Sequence, residues 1–154
     1  MLNTRGASSK NILNRSLKNI STSGDVFPKA AYHHMSHEII QYKGKDILYV
    51  DYSQCRNIEE SLTLIESSIK LLKSRPGKTL VLVNVNKVTG SREFMKKSKE
   101  LNESTRDKVA KRAVIGVTGM KKVLLMGFNK FAKTAAVPFD SKEAAMEFLV
   151  AENS

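Results

Sequence analysis

The run Thr79–Leu80–Val81–Leu82–Val83–Asn84–Val85 passes directly into a polar loop, Asn86–Lys87–Val88–Thr89–Gly90, and Ser91 then opens a basic helical stretch. A continuous Val-rich run of this length predicts a strand buried on both faces, the kind found in the middle of mostly parallel sheets. A strand that ends in a polar loop and resumes as a helix is half of a βαβ crossover. The unit commits the chain to an α/β layer architecture. It also sets the loop at the carboxyl end of the strand, the edge where such domains hold ligands.

The flanking segments extend this pattern. Glu38–Tyr42 and Asp46–Asp51 are β-rich and joined across Lys43–Gly44–Lys45, which predicts a hairpin. After a polar connection, Asn57 is suited to cap a helix with Glu59 and Glu60 in its first turn. Ile58, Leu62, Ile65, Ile69 and Leu72 then form one apolar stripe, ended by Arg75–Pro76–Gly77. Behind Ser91, the residues Phe94, Met95, Ser98, Leu101 and Asn102 give a weaker stripe. Arg112–Val117 predicts a strand and Thr118–Gly119 a turn. Val123, Leu124, Met126, Gly127, Phe128 and Phe131 predict a helix ending near Lys133, with its phenylalanines in the core. Ala135–Phe139 reads as a short strand, whose Pro138 marks an edge or a strand end. Ser141 caps a last helix that buries Ala144, Ala145, Phe148 and Leu149. The order β-β-α-β-α-β-α-β-α predicts a mixed, mostly parallel five-stranded sheet covered by helices, with right-handed crossovers between the parallel strands.

A chain of 154 residues with 41% apolar content holds one domain and a tail. Residues 37–154 form the expected domain. Residues 1–36 are rich in Ser, Asn, Lys and Arg, and hold too little apolar area to offset the entropy of ordering. They read as a disordered basic tail, or as a non-native leader if Met35 is the start. Ile12, Leu13, Leu17 and Ile20 beside Lys10, Arg15 and Lys18 would also suit an organellar presequence over residues 1–34; the alternative is a cytoplasmic protein. No apolar run approaches the ~20 residues needed to span a bilayer.

The formal net charge is +11. The tail carries Arg5, Lys10, Arg15, Lys18 and Lys29 against Asp25, leaving +7 for the domain. Such a balance favours anionic partners, among them acidic proteins, anionic lipids and nucleic acid. From Asn86 to Arg112, nine cations (Lys87, Arg92, Lys96, Lys97, Lys99, Arg106, Lys108, Lys111, Arg112) face four acids. Lys121, Lys122, Lys130 and Lys133 follow on the next helical segment. If the two helices neighbour each other, Lys96, Lys97, Lys99, Lys121 and Lys122 form one basic interaction face. Aromatic stacking platforms for single-stranded nucleic acid are lacking, so an acidic or regulatory protein, or an anionic lipid or small molecule, ranks above nucleic acid. A homodimer is compatible with exposed sheet edges.

Catalytic and metal-binding patterns are weak. Cys55 is the single cysteine, which fits a reducing compartment and a half-buried loop position. His33, His34 and His37 cluster where no structure is expected to converge them on a metal. Asp46, Asp51, Glu59 and Glu60 fall on a hairpin and a helix start, and no His follows the first strand. No dinucleotide fingerprint, P-loop or zinc spacing occurs. The expectation is a non-enzymatic domain without cofactor or metal.

From about His37 to Val150 the chain resembles the SpoIIAA-like family, grouped with STAS and CRAL-TRIO-type folds. The residues that carry the resemblance are Thr79–Val85, Lys111–Val117 with Thr118–Gly119, and the ending Pro138–Phe139–Asp140–Ser141–Lys142–Glu143–Ala144–Ala145–Met146–Glu147–Phe148–Leu149. The resemblance implies a STAS-type α/β domain acting as a regulatory or protein-binding module through the loop and helix after the third strand. The CRAL-TRIO relationship implies the alternative, an anionic or lipid-like ligand between helices and sheet. In the anti-sigma antagonists of this group, a Ser at the start of that helix is phosphorylated. The matching stretch here, Asn84–Ser91, puts Ser91 at a comparable place with Thr89 nearby, and lacks the Asp and Ser-Ser-Gly of that loop. Asn86, Lys87, Thr89, Gly90, Ser91 and Arg92 are thus the candidate switch or anion-binding loop. A phosphate at a helix N-terminus would meet free N–H groups and a favourable dipole.

Overall fold

The computed structural model describes residues 36–152. The expectations for the tail, for His33 and His34 and for the start site fall outside the described residues. The elements follow the predicted order: β1 (Ser36–Tyr42), β2 (Lys45–Asp51), α1 (Ile58–Ser74), β3 (Thr79–Asn84), α2 (Arg92–Ser104), β4 (Val109–Ile115), α3 (Met120–Asn129), β5 (Ala136–Phe139) and α4 (Lys142–Val150). They build a five-stranded sheet in the order β1-β2-β3-β4-β5, antiparallel at β1–β2 and parallel elsewhere. The mixed, mostly parallel sheet is as expected, with β3 at its centre.

Local chemistry explains the boundaries. Lys43 (φ 49°) and Gly44 (φ 78°) form the two-residue turn of the hairpin, the conformation whose twist matches paired strands. Lys45 therefore belongs to β2, opposite Tyr42. Helices α1, α2 and α4 start as predicted: Asn57 Oδ1 accepts from Glu60 N, Ser91 Oγ from Phe94 N, and Ser141 Oγ from Ala144 N. These are standard caps. The strand expected at Arg112–Val117 begins three residues earlier and stops at Ile115, because Gly116 turns the chain with φ 84°. Helix α3 ends at Asn129 rather than near Lys133, where the Asn129 side chain instead makes a two-way hydrogen bond with the backbone of Ala136 on β5.

The sheet order never reverses between β2 and β5. Crossovers of one hand that always step in one direction set their helices on one face. The packing agrees: Leu48, Val50, Val81 and Val109 meet Leu64, Ile65 and Leu72 of α1 and Phe94 of α2. On the opposite face Ile47, Tyr49, Leu82, Ala113 and Ile115 meet Ala145, Leu149 and Val150 of α4. The buried line of α1 differs from the expected stripe. It runs through Ser61, Leu64, Ile65, Ser68 and Leu72, with Ile58, Leu62 and Ile69 only partly buried. The two serines are accommodated because each hydroxyl donates to a carbonyl four residues back, Asn57 O and Leu64 O.

Helix α3 differs most from expectation. None of its residues is buried. Met120, Val123 and Met126, and Phe131 just beyond the helix, are 74%, 60%, 67% and 68% exposed. The expected core role holds for Phe94, which is buried, and fails for Phe131; Phe128 is half-buried.

Candidate functional site

The end of β3 is held by Asn84. Its Nδ2 donates to the Tyr49 hydroxyl (3.2 Å) and, more weakly, to Ser53 Oγ (3.5 Å), while its Oδ1 accepts from Asn86 N (3.0 Å). Ser53 is positioned by Asp51, whose Oδ1 accepts from both its N and its Oγ. The loop after β3 lies directly against the turn after β4: a Cβ at Gly116 would stand 2.6 Å from Asn86 N. Val85 N donates to Ile115 O, and Val88 N to Val85 O. Lys87 adopts φ 64°, uncommon for a residue with a side chain. Asn86, Lys87, Thr89, Gly90 and Arg92 are exposed around this loop, and Ser91, half-buried, caps α2.

The lysines divide into two groups. Lys121 turns inward, donating to Val85 O (2.7 Å) and Gly116 O (3.4 Å), and so ties α3 to the ends of β3 and β4. Lys111 donates to Phe148 O and Ala151 O, and Lys45 to Val150 O, at the end of α4. Cations there meet the negative end of the helix dipole. Lys108 donates to Arg75 O. Lys97 bridges Glu66 of α1 and Glu100. These side chains brace the fold. Lys96, Lys122, Lys87 and Arg92 are exposed and make no ion pair among the described residues. Lys99 reaches Glu103 at 3.9 Å and lies over the Phe131 ring, 5.2 Å from its centroid, a contact that joins α2 to the segment after α3.

Beneath the loop, between α2, α3 and the sheet, lies a cavity of about 130 Å³. Its walls are almost wholly apolar and include Val83, Val114, Phe94, Leu101, Leu124 and Leu125. Arg112 also lines it, although the sequence reading placed this residue in the basic surface stretch. Strand alternation explains the difference: Arg112 and Val114 face the α2 side, while Ala113 and Ile115 face α4. Arg112 is 6% exposed. One N–H donates to Asn102 Oδ1 (3.1 Å), and the guanidinium lies 5.7 Å from the Phe128 ring centroid. No carboxylate pairs with it among the described residues. Burial lowers its pKa to about 10, so it remains a cation at neutral pH. Tyr52, another wall residue, stands edge-on to Phe94 with its phenol pushed up by burial.

The remaining candidates do not converge. Cys55 is half-buried against the α1 side of the core, with its thiol pushed up by burial. His37 Nε2 bonds Ser67 Oγ at 2.9 Å. Glu60 pairs with Arg56 and caps its backbone N–H. Among the described residues no group of three or more His, Cys, Asp or Glu side chains could hold a metal, and no helix is long and apolar enough to cross a membrane.

No protein-family model matches the chain, and no curated protein matches it. Among solved structures it is similar to the 2.25 Å crystal structure of an uncharacterized protein of the DUF3478 family with a SpoIIAA-like fold, from Shewanella loihica PV-4. The TM-score is 0.55 at 13% identity, over 75% of this chain and 93% of that one. At that identity the likeness speaks to architecture. The resemblance read from Thr79–Val85, Lys111–Gly119 and Pro138–Leu149 is borne out as a fold: the chain has a SpoIIAA-like α/β architecture.

Proposed function

We propose that the domain of residues 37–154 is a non-catalytic binding module that meets an acidic protein partner. The surface is the loop Asn86–Ser91, the exposed side of α2 and the outer face of α3. One observation carries this reading: Met120, Val123, Met126 and Phe131 project from one short segment into water, on and just beyond the helix that carries the exposed Lys122, with Lys99 of α2 lying over the Phe131 ring. Contiguous exposed apolar side chains mark interaction sites, and flanking cations select an acidic counterpart and speed its approach. A second copy of this chain would set like charges opposite each other, so this face suits another protein better than itself. Phosphate on Ser91 would place a dianion in the loop that carries Lys87 and Arg92 and neutralise their charge, which suits a switch at the rim of this surface.

The test uses the full chain. Cross-linking in the native cell captures the partner, and the purified pair is titrated at several salt concentrations. Lys96→Glu with Lys122→Glu, and separately Val123→Asp, are expected to weaken binding on the order of tenfold or more with unchanged thermal unfolding. Undiminished affinity in both variants overturns the surface. Capture of RNA or anionic vesicles instead of a protein overturns the partner class.

A second reading, a small anionic ligand between helices and sheet, is favoured by Arg112 in the apolar cavity.

A further inference from the structure

We infer that the cavity between α2, α3 and the sheet binds a small carboxylic acid as its anion, with the carboxylate on the Arg112 guanidinium and an apolar body against the walls. This names the ligand class for the second reading above, and rests on it. The first ground is electrostatic. A buried cation is ordinarily paired, because removing an ion from water without a counter-charge is strongly unfavourable. Arg112 has a neutral amide, Asn102, and the Phe128 ring as partners, and no carboxylate among the described residues. Its N–H groups beyond the one given to Asn102 have no protein acceptor among the described residues.

The second ground is the wall. Apart from Arg112, the charged residue lining the cavity is Lys121, and it is turned to the carbonyls of Val85 and Gly116. No acidic side chain lines it. An anion entering meets positive potential and an otherwise dry surface.

The third ground is stoichiometry of charge and size. One guanidinium balances one monoanion, and its planar fork matches a carboxylate with two parallel hydrogen bonds. A phosphate dianion would leave an unbalanced charge against Val83, Phe94 and Leu124. A cavity of about 130 Å³ is comparable to the ~150 Å³ apolar cavity that holds benzene. An apolar body of about five or six carbons fits that volume, as in hexanoate or benzoate.

The test titrates hexanoate, benzoate, the neutral hexanol and inorganic phosphate into the full-length protein, followed by thermal shift and ligand-observed NMR. Hexanoate or benzoate is expected to raise the melting temperature with dose and to show magnetisation transfer from Phe94 and Phe128, with phosphate inert. Arg112→Met is expected to weaken hexanoate on the order of 10- to 100-fold, the loss of a charge-assisted pair, and to leave hexanol unchanged. Leu124→Trp, which fills the cavity while keeping the Arg112 charge, is expected to remove both ligands, and serves if Arg112→Met does not fold. Equal binding of hexanol and hexanoate, or hexanoate binding unaffected by Arg112→Met, overturns the carboxylate assignment while leaving a ligand cavity. Silence of all four probes on the wild type overturns the cavity reading itself.

Discussion

The Asn84 amide donates to the hydroxyl of Tyr49 on the adjacent strand, 3.2 Å away, and its carbonyl accepts from Asn86 N. One buried side chain thus fixes the end of the central strand and the first residue of the loop. Asn84→Ala is expected to destabilise the domain by about 1–3 kcal/mol, because Asn86 N and the Tyr49 hydroxyl lose a partner. Urea unfolding checks this as a lower midpoint with unchanged slope. An unchanged midpoint would mean that water replaces the amide.

Gly116 and Gly127 should respond in opposite directions to alanine. Gly116 has φ 84°, and a Cβ there would lie 2.6 Å from Asn86 N, so Gly116→Ala combines strain and collision and is expected to cost about 2 kcal/mol or more. Gly127 lies inside α3 with open space around its would-be Cβ, and Gly127→Ala is expected to stabilise by about 0.5–1 kcal/mol. Paired thermal melts read both. A stabilised Gly116→Ala would show that the two loops are not in contact.

Lys111 and Lys122 carry the same charge in different roles. Lys111 donates to Phe148 O and Ala151 O and lies 5.1 Å from the Phe148 ring centroid; Lys122 is exposed. Lys111→Met is expected to cost about 1–2 kcal/mol through lost carbonyl bonds and dipole compensation, and Lys122→Met to stay within about 0.5 kcal/mol of wild type. Hydrogen exchange should locate the Lys111 effect in the last turn of α4.

His37 predicts an acid-side loss of stability. The Ser67 hydroxyl donates to Leu64 O, so it accepts from His37 Nε2–H, and partial burial lowers the imidazole pKa below its ordinary 6.5. The folded state prefers the neutral ring. Above pH 6.5 both states are neutral, and as pH falls from there toward the folded-state pKa the unfolded chain takes the proton first, so stability drops. Melting temperatures from pH 8 to 5 should fall less steeply in His37→Gln than in wild type. Identical slopes would exclude this ring as a source.

The elements were legible in the sequence because local rules and global packing agree there. The caps Asn57, Ser91 and Ser141 carry side chains that accept from the third residue onward, and the Val-rich run could only be central. The site was less legible. Arg112 was counted with surface cations because charge is read from composition, although its place two residues before Val114 on a strand was the signal for an inward side chain. Phe131 reads as core because it is aromatic and apolar, yet it is exposed, as are Val123 and Met126 of the same segment. Sequence does not reveal that α3 is the last of three helices on one face, over a β5 of only four residues, with little sheet to cover it. The inward turn of Lys121 depends on carbonyls from two other segments, which no local pattern encodes.

Arg112 separates a structural arginine from a ligand-binding one. Were it part of a folding ion pair, its removal would cost about 3–5 kcal/mol. Burial lowers its pKa from the ordinary arginine range to about 10, and the folded state carries that desolvation at every pH below about 10, with relief only as pH rises above it toward that ordinary range. A shift of that size corresponds to about 3 kcal/mol of unfavourable free energy at neutral pH. Arg112→Met removes it but leaves buried Asn102 Oδ1 without its donor, an offset of about 1–3 kcal/mol. The expected result is a ligand-free variant at pH 7 within about 1 kcal/mol of wild type or more stable. Arg112→Met with Asn102→Leu, which removes both polar groups, should exceed the single variant. Urea unfolding of the extensively dialysed protein reads all three. A loss of several kcal/mol in the double variant would assign Arg112 to the core scaffold.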